Sequence, residues 1–249
     1  MKYCGDYHTH SLISGDCRST LEDNVLWAQK AGLSEIGITD HGMGNWFSYN
    51  PKKARWARGE VDRLKEIYPL KILLGVENDI ISRGGEIDYL PEVGGLFDIN
   101  LLGFHFPVWM KSFKDYWTLK TPIRLSKVFP VSKEHVARNT KTVIKALERY
   151  PIHVFAHINY NILVNPKEVA KCCADNGIYL ELNCKHVNTL YPIMDDLLST
   201  DVKFLAGTDS HKAFKIGNFS ALDGLIGDFA LDEKRIANLG ETVVFERKI

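Results

Sequence analysis

Lys71-Ile-Leu-Leu-Gly-Val-Glu77 is an apolar run that ends on a carboxylate. Apolar on both faces, it reads as a strand buried on both sides, which is the habit of parallel sheets. Five further segments share this address: Cys4-Gly-Asp-Tyr-His8-Thr-His10, Ile36-Gly-Ile-Thr-Asp40-His41, Leu101-Leu-Gly-Phe-His105, Val154-Phe-Ala-His157 and Phe204-Leu-Ala-Gly-Thr-Asp209-Ser-His211. Each short apolar run ends on imidazole or carboxylate. In a barrel of parallel strands the C-terminal ends form one rim, and that rim carries the chemistry.

Working outward from these runs, strands alternate with helical patterns from end to end. Expected strands are the segment around Tyr7, Glu35 to Thr39, Lys71 to Glu77, Asp98 to His105, Ile152 to His157, Ile178 to Asn183 and Val202 to Thr208. Between them, Ser19-Thr20-Leu21-Glu22 offers a capping-box start for a helix reaching Gly32, and Pro51 opens a long helix that Pro69 stops. Ser132 opens another as far as Arg149, and Pro166 begins one that Asn176-Gly177 ends. Thr242 to Phe245 is either an eighth strand or a tail packed on the barrel. Pro107 to Pro130, rich in aromatics and lysines, reads as an elaborated rim loop. Its aromatics suit packing within the loop or an oligomer contact better than base stacking. A single barrel domain over residues 1–249 is expected.

Composition permits this and excludes little. Lys+Arg and Asp+Glu are equal at 31 each, so no basic surface for long nucleic acid is implied. Five scattered cysteines without a CxxC pair suggest neither a disulfide framework nor a cysteine zinc knot. No signal-peptide or membrane-spanning run is apparent, and the expectation is a cytoplasmic protein.

His8-Thr-His10 places two imidazoles at i and i+2, on one face of an extended strand, where both can hold one cation. Asp209-Ser-His211 repeats that spacing. Of nine histidines, six (8, 10, 41, 105, 157 and 211) fall at strand ends, and Glu77, Asp209 and the loop residue Asp16 join them. An isolated histidine of this kind is most simply a hydrogen-bonded residue under a loop. Six on one rim with three carboxylates form a metal centre.

Taken in order, the motifs HTH, TDHG, GVE, GFH, AHIN and GTDSH resemble those of the PHP (polymerase and histidinol phosphatase) family of metal-dependent phosphoesterases. The resemblance implies a distorted (β/α)7 TIM-like barrel carrying two to three divalent metal ions, zinc, manganese or iron. It implies a first metal on His8, His10, Glu77 and Asp209, a second on Glu77, His105 and His157, and a third on Asp16, His41 and His211. Aspartate at position 16, where histidinol phosphatases usually carry histidine, favours a harder cation there. A metal-bridging hydroxide held by Glu77, Asp209, His8 and His10 would attack phosphorus in line. Lys185, His186 and Arg18 are candidate contacts to a small phosphorylated substrate such as L-histidinol phosphate. Three alternatives stay open: a nuclease or nucleotide phosphoesterase, an amidohydrolase-type metal hydrolase, and a non-catalytic metal-binding module.

Overall fold

The computed structural model describes residues 1–46, 48–106, 108–120 and 131–246. Seven parallel strands form one sheet in sequential order: β1 Gly5–Thr9, β2 Glu35–His41, β3 Lys71–Asp79, β4 Ile99–Gly103, β5 Val154–Phe155, β6 Tyr179–Asn183 and β7 Phe204–Gly207. Helices Leu21–Lys30, Pro51–Lys65, Lys133–Arg149, Pro166–Asp175 and Ala221–Asp228 connect or follow them. Outward strand residues such as Ile36, Ile72, Leu102, Leu180 and Phe204 share one apolar layer with Val25, Val61, Val143, Val169 and Leu222 of the helices. Every strand thus has a covered outer face, as parallel strands require.

The helix starts follow local chemistry. Asn50, Ser132 and Asn165 cap their helices through side-chain oxygens, with Pro51 and Pro166 in the first turn. The first capping box lies one residue later than expected, on Thr20 and Asp23. Ser19 instead accepts a hydrogen bond from the Ala213 amide at 3.1 Å, tying the loop after β1 to the loop after β7.

Inside the barrel, Tyr7, Leu73, Ile99, Leu101, Val154 and Leu205 form a second apolar cluster, closed from below by Val243. Strict alternation along β1 would set Tyr7 opposite to His8 and His10. The register between β1 and β2 shifts between Asp6 and Thr9, so β1 carries an extra residue. Tyr7 therefore fills the barrel floor while His8 and His10 lie above it. Its hydroxyl donates to Glu35 at 2.6 Å and accepts from the Val243 amide at 3.1 Å.

The seam between β1 and β7 accounts for the distortion. Near the rim it closes through a parallel bridge, Thr9 to Ser210, and through Thr208, whose amide and hydroxyl donate to Asp6 at 3.2 and 2.5 Å. Lower down, the segment around Ile236 to Leu239 wedges in, bridging Phe204 on one side and Tyr3 on the other. Fully buried Asn238 donates to the carbonyls of Gly5 and Ala206 and accepts from the Ala206 amide, at 2.8 to 3.0 Å. Thus the place of an eighth strand is taken by residues 236–239. Among the described residues Thr242 to Phe245 has no strand pairing, and it packs as the tail that plugs the floor.

Four strands are shorter than expected: β4, β5, β7, which spans only Phe204–Gly207, and, by one residue, β6. β5 stops at Phe155 because His157 and Asn159 adopt left-handed backbone, with φ of 30° and 61°, turning the chain over the rim. β4 ends at Gly103. The aromatic stretch forms short helical turns over Phe113–Lys120, leaving Trp109, Phe113 and Trp117 exposed. Residues 107 and 121–130 of the expected rim loop lie outside the described residues.

Asn238→Ala should unpair two carbonyls and one amide at the seam, costing on the order of 2–4 kcal/mol in urea unfolding. A loss below about 0.5 kcal/mol would show that the seam does not depend on this side chain.

Candidate metal centre

Glu77 stands at the middle of the rim, fully buried near the end of β3. Its Oε1 lies 2.7 Å from His157 Nε2, 3.4 Å from His8 Nε2 and 3.6 Å from His105 Nε2. Its Oε2 faces His41 Nδ1 at 3.0 Å and His10 Nε2 at 3.7 Å. One carboxylate thus faces five imidazoles from the C-terminal ends of β1, β2 and β4 and from the loop after β5. Asp209, at φ 50°, turns its Oδ1 toward His10 Nε2 at 3.5 Å and His211 Nδ1 at 3.3 Å. Asp16 reaches in from the loop after β1, 3.4 Å from His41 Nε2 and 3.2 Å from His211 Nε2. All nine residues picked from the sequence meet at one place.

Ligand atoms fall into four compact groups: His8, Glu77 and His157; His41, Glu77 and His105; His8, His10 and Asp209; and His10, His41 and His211. Small residues make the crowding feasible. A Cβ at Gly103 would stand 2.8 Å from Glu77 Oε1, and one at Gly207 would stand 2.2 Å from Glu181 Oε1.

A second layer of polar groups fixes the rings. His8 Nδ1 is 2.7 Å from Glu181 Oε1, His10 Nδ1 is 3.0 Å from Ser14 Oγ, and His105 Nδ1 is 3.0 Å from Asp79 Oδ1. Glu181 also accepts the His157 amide at 2.9 Å. Asp40 accepts from the Ser11 amide and hydroxyl and from the Ser14 hydroxyl, each at 2.6 Å, so it holds the loop beneath His10 rather than facing the centre. Glu181, Asp79 and Ser14 are the ring partners that motif reading passes over, and Asp40, quoted in the TDHG motif, braces the loop instead of facing the centre. The signal for the ring partners was the demand that a ligand histidine engage its second ring nitrogen.

The electrostatics are those of a cation site. Burial disfavours charge on Glu77, yet the facing imidazoles of His105 and His8 outweigh it and hold the carboxyl well below its ordinary value. Asp209 is likewise held down against burial by His8, His10 and Lys185. Burial, then the charge of His41, keeps His10 well below the usual imidazole value, so it is neutral with a lone pair to offer. His8 is driven up against burial by Glu181 and Glu77, a field that a divalent cation would feel more strongly than a proton.

Lys185 and His186 follow β6 as expected and reach the centre. Lys185 Nζ is 3.0 Å from Asp209 Oδ1, and His186 Nε2 is 3.5 Å from Asp209 Oδ2 while its ring stacks on Tyr160 at 3.5 Å. Arg18 stands farther off, on a groove that begins at Asp16 and His211 and continues past Trp27 and Phe214. Cys17 is buried with its thiol donating to the His10 carbonyl at 3.2 Å, a packing role. His153 bonds the Asn100 amide and the Glu246 carbonyl at the barrel floor.

Residues 6–185 match the family model of the PHP domain. The chain belongs to the PHP domain family. A probable phosphatase of Shewanella sediminis is 28% identical over 252 residues, covering 96% of this chain and 90% of its own length. Another, from Clostridium novyi, is 24% identical over 256 residues, covering 97% and 92%. Among solved structures, histidinol phosphate phosphatase from Lactococcus lactis, complexed with zinc, L-histidinol and phosphate, superposes with a TM-score of 0.61 at 19% identity, covering 91% of this chain and 93% of that one. The fold, the family and the phosphatase class expected from the motifs are borne out.

Glu181→Gln should weaken metal binding roughly 10–100-fold, since His8 loses its anionic partner while the side-chain shape is kept. Calorimetric titration of the metal-free protein checks this, and unchanged affinity would remove Glu181 from the centre.

Proposed function

We propose that this protein is a metal-dependent phosphatase acting on small phosphate monoesters, with two or three divalent ions held by His8, His10, Asp16, His41, Glu77, His105, His157, Asp209 and His211. One observation carries the reading. Around Glu77, His8 Nε2, His10 Nε2, His41 Nδ1 and Glu77 Oε2 are buried and, among the described residues, none completes a hydrogen bond, even though His41 Nδ1 and Glu77 Oε2 stand 3.0 Å apart. Orphaned buried polar atoms cost about 1–3 kcal/mol each. Four that converge, all of ligand type and backed by oriented partners, fit a cation and little else.

Divalent ions supply an activated water at neutral pH and charge to neutralise phosphate oxygens. In the hydrolysis itself the water oxygen bonds to phosphorus, the bond to the ester oxygen breaks, and the alcohol departs with a proton. This chain's residues position and shield that event. Glu77 lies between two of the ligand groups and suits a shared ligand. Lys185, half exposed beside Asp209, can take a phosphate oxygen at the mouth of the centre. The harder oxygen of Asp16, on the exposed side, makes the His41–His211 position the one with the weakest preference for zinc.

Zinc, L-histidinol and phosphate in the Lactococcus lactis neighbour make L-histidinol phosphate the first ester to assay. No helix among the described residues is long and apolar enough to cross a membrane. The five free cysteines, with Cys172 and Cys173 adjacent, suit a reducing compartment such as the cytoplasm.

Chelation followed by return of zinc, manganese or iron should remove and restore hydrolysis of phosphate monoesters. His8→Ala and Asp209→Ala should lack that activity and bind less metal, and Lys185→Ala should raise KM about tenfold with kcat less affected. Full activity in the chelated protein or in the two ligand variants would refute the reading.

A further inference from the structure

A cleft of about 480 Å³ opens directly from the centre. Asp209 and His211 form its inner end, and its walls carry Lys185, Lys212 and Lys215. Among the described residues Asp209 is the only carboxylate of the lining, and it already engages Lys185 and the imidazoles. Among the described residues neither Lys212 nor Lys215 has a carboxylate partner within salt-bridge distance; Lys212 approaches only the ring of Phe214, at 6.0 Å. The remaining polar walls are Thr208, Ser210, Asn218 and Ser220, and the cleft ends at Ala221, where the helix Ala221–Asp228 begins.

We infer that this cleft receives a second phosphate of the substrate, so that the preferred esters are bisphosphorylated, one phosphoryl group being removed at the centre while the other rests on Lys212 and Lys215. The inference depends on the phosphatase reading of the same centre and adds the class of leaving group. The reasoning is one of charge. Two lysines without a carboxylate partner, lining a cleft whose one acid is already engaged, favour a dianion over an ammonium. L-Histidinol phosphate would bring an amino group into that cleft. A leaving group with its own phosphate brings the complementary charge. The space suits it too, because a cleft of this size holds a small diol backbone with its distal phosphate but not a folded polymer. The lysines follow His211 by one and four residues on the loop after β7, so the distal site is built from the same loop that carries two candidate ligands.

The test compares propane-1,3-diol bisphosphate, propyl phosphate and L-histidinol phosphate as substrates of the metal-loaded protein and of its K212A/K215A variant. Alongside, calorimetry measures binding of propane-1,3-bisphosphonate and propylphosphonate. Both lysines are surface residues outside the metal centre, so the variant should fold and should hydrolyse propyl phosphate like the wild type. The expected result is a kcat/KM for the bisphosphate at least about tenfold above both other esters, carried by KM and lost in the variant. The bisphosphonate should bind correspondingly tighter than the monophosphonate, with an advantage that salt and the double substitution both erase. Hydrolysis of all three esters without that preference, or a preference that survives in the variant, overturns the second-phosphate site and leaves the phosphatase reading standing. Lysine-dependent bisphosphonate binding with no hydrolysis of any ester would do the reverse.

Discussion

A fully buried carboxylate set among imidazoles is the constraint on which the rim depends. Glu77 is fully buried at the end of an apolar strand, and an isolated charge there would be driven to take up a proton. The protein instead surrounds it with His8, His10, His41, His105 and His157, each arriving from a different strand end or adjoining loop, except that β1 supplies two. Four of these imidazoles are buried and His105 is partly so, and the second nitrogens of His8, His10 and His105 are engaged by Glu181, Ser14 and Asp79. The result is a set of ligand-type nitrogen and oxygen atoms aimed inward from the barrel rim, an arrangement able to hold a cation.

The barrel is shaped to permit this. Apolar side chains from Tyr7 to Leu205 fill its lower half, while glycines at 103 and 207 leave space above them for Glu77 and Glu181. An extra residue in β1 is what allows Tyr7 to serve the floor and His8 the rim. The β1 and β7 seam is then pinned at both levels, by Asp6 and Thr208 near the rim and by Asn238 below. Packing below and coordination above are thus separate tasks, and substitutions at the seam act on stability before they act on the centre.

Most of the fold was legible because its signal is one-dimensional. A parallel strand covered on both faces is a continuous apolar run, and residues at or just past its end stand out, which is why eight of the nine rim positions could be named from the runs, with the loop residue Asp16 as the exception. What was hidden depends on three-dimensional phase. The bulge in β1 leaves no mark in Gly-Asp-Tyr-His-Thr-His. Residues Ile236 to Leu239 close the seam through one asparagine side chain and two isolated bridges, with no strand pattern to read. Glu181 looks like the polar half of an alternating strand, and only its 2.7 Å approach to His8 gives it a role. β5 was overestimated because the left-handed turn at His157 and Asn159 interrupts a run that reads as extended.

The most direct test of the account is to crystallise the metal-reconstituted protein and map anomalous scattering at the absorption edge of the added metal. The account predicts peaks between Glu77 and the imidazoles of His8, His41, His105 and His157, with at least one peak within bonding distance of Glu77, and loss of that peak in Glu77→Gln. A rim with no anomalous peak at saturating metal, or an unchanged peak in the variant, would contradict it.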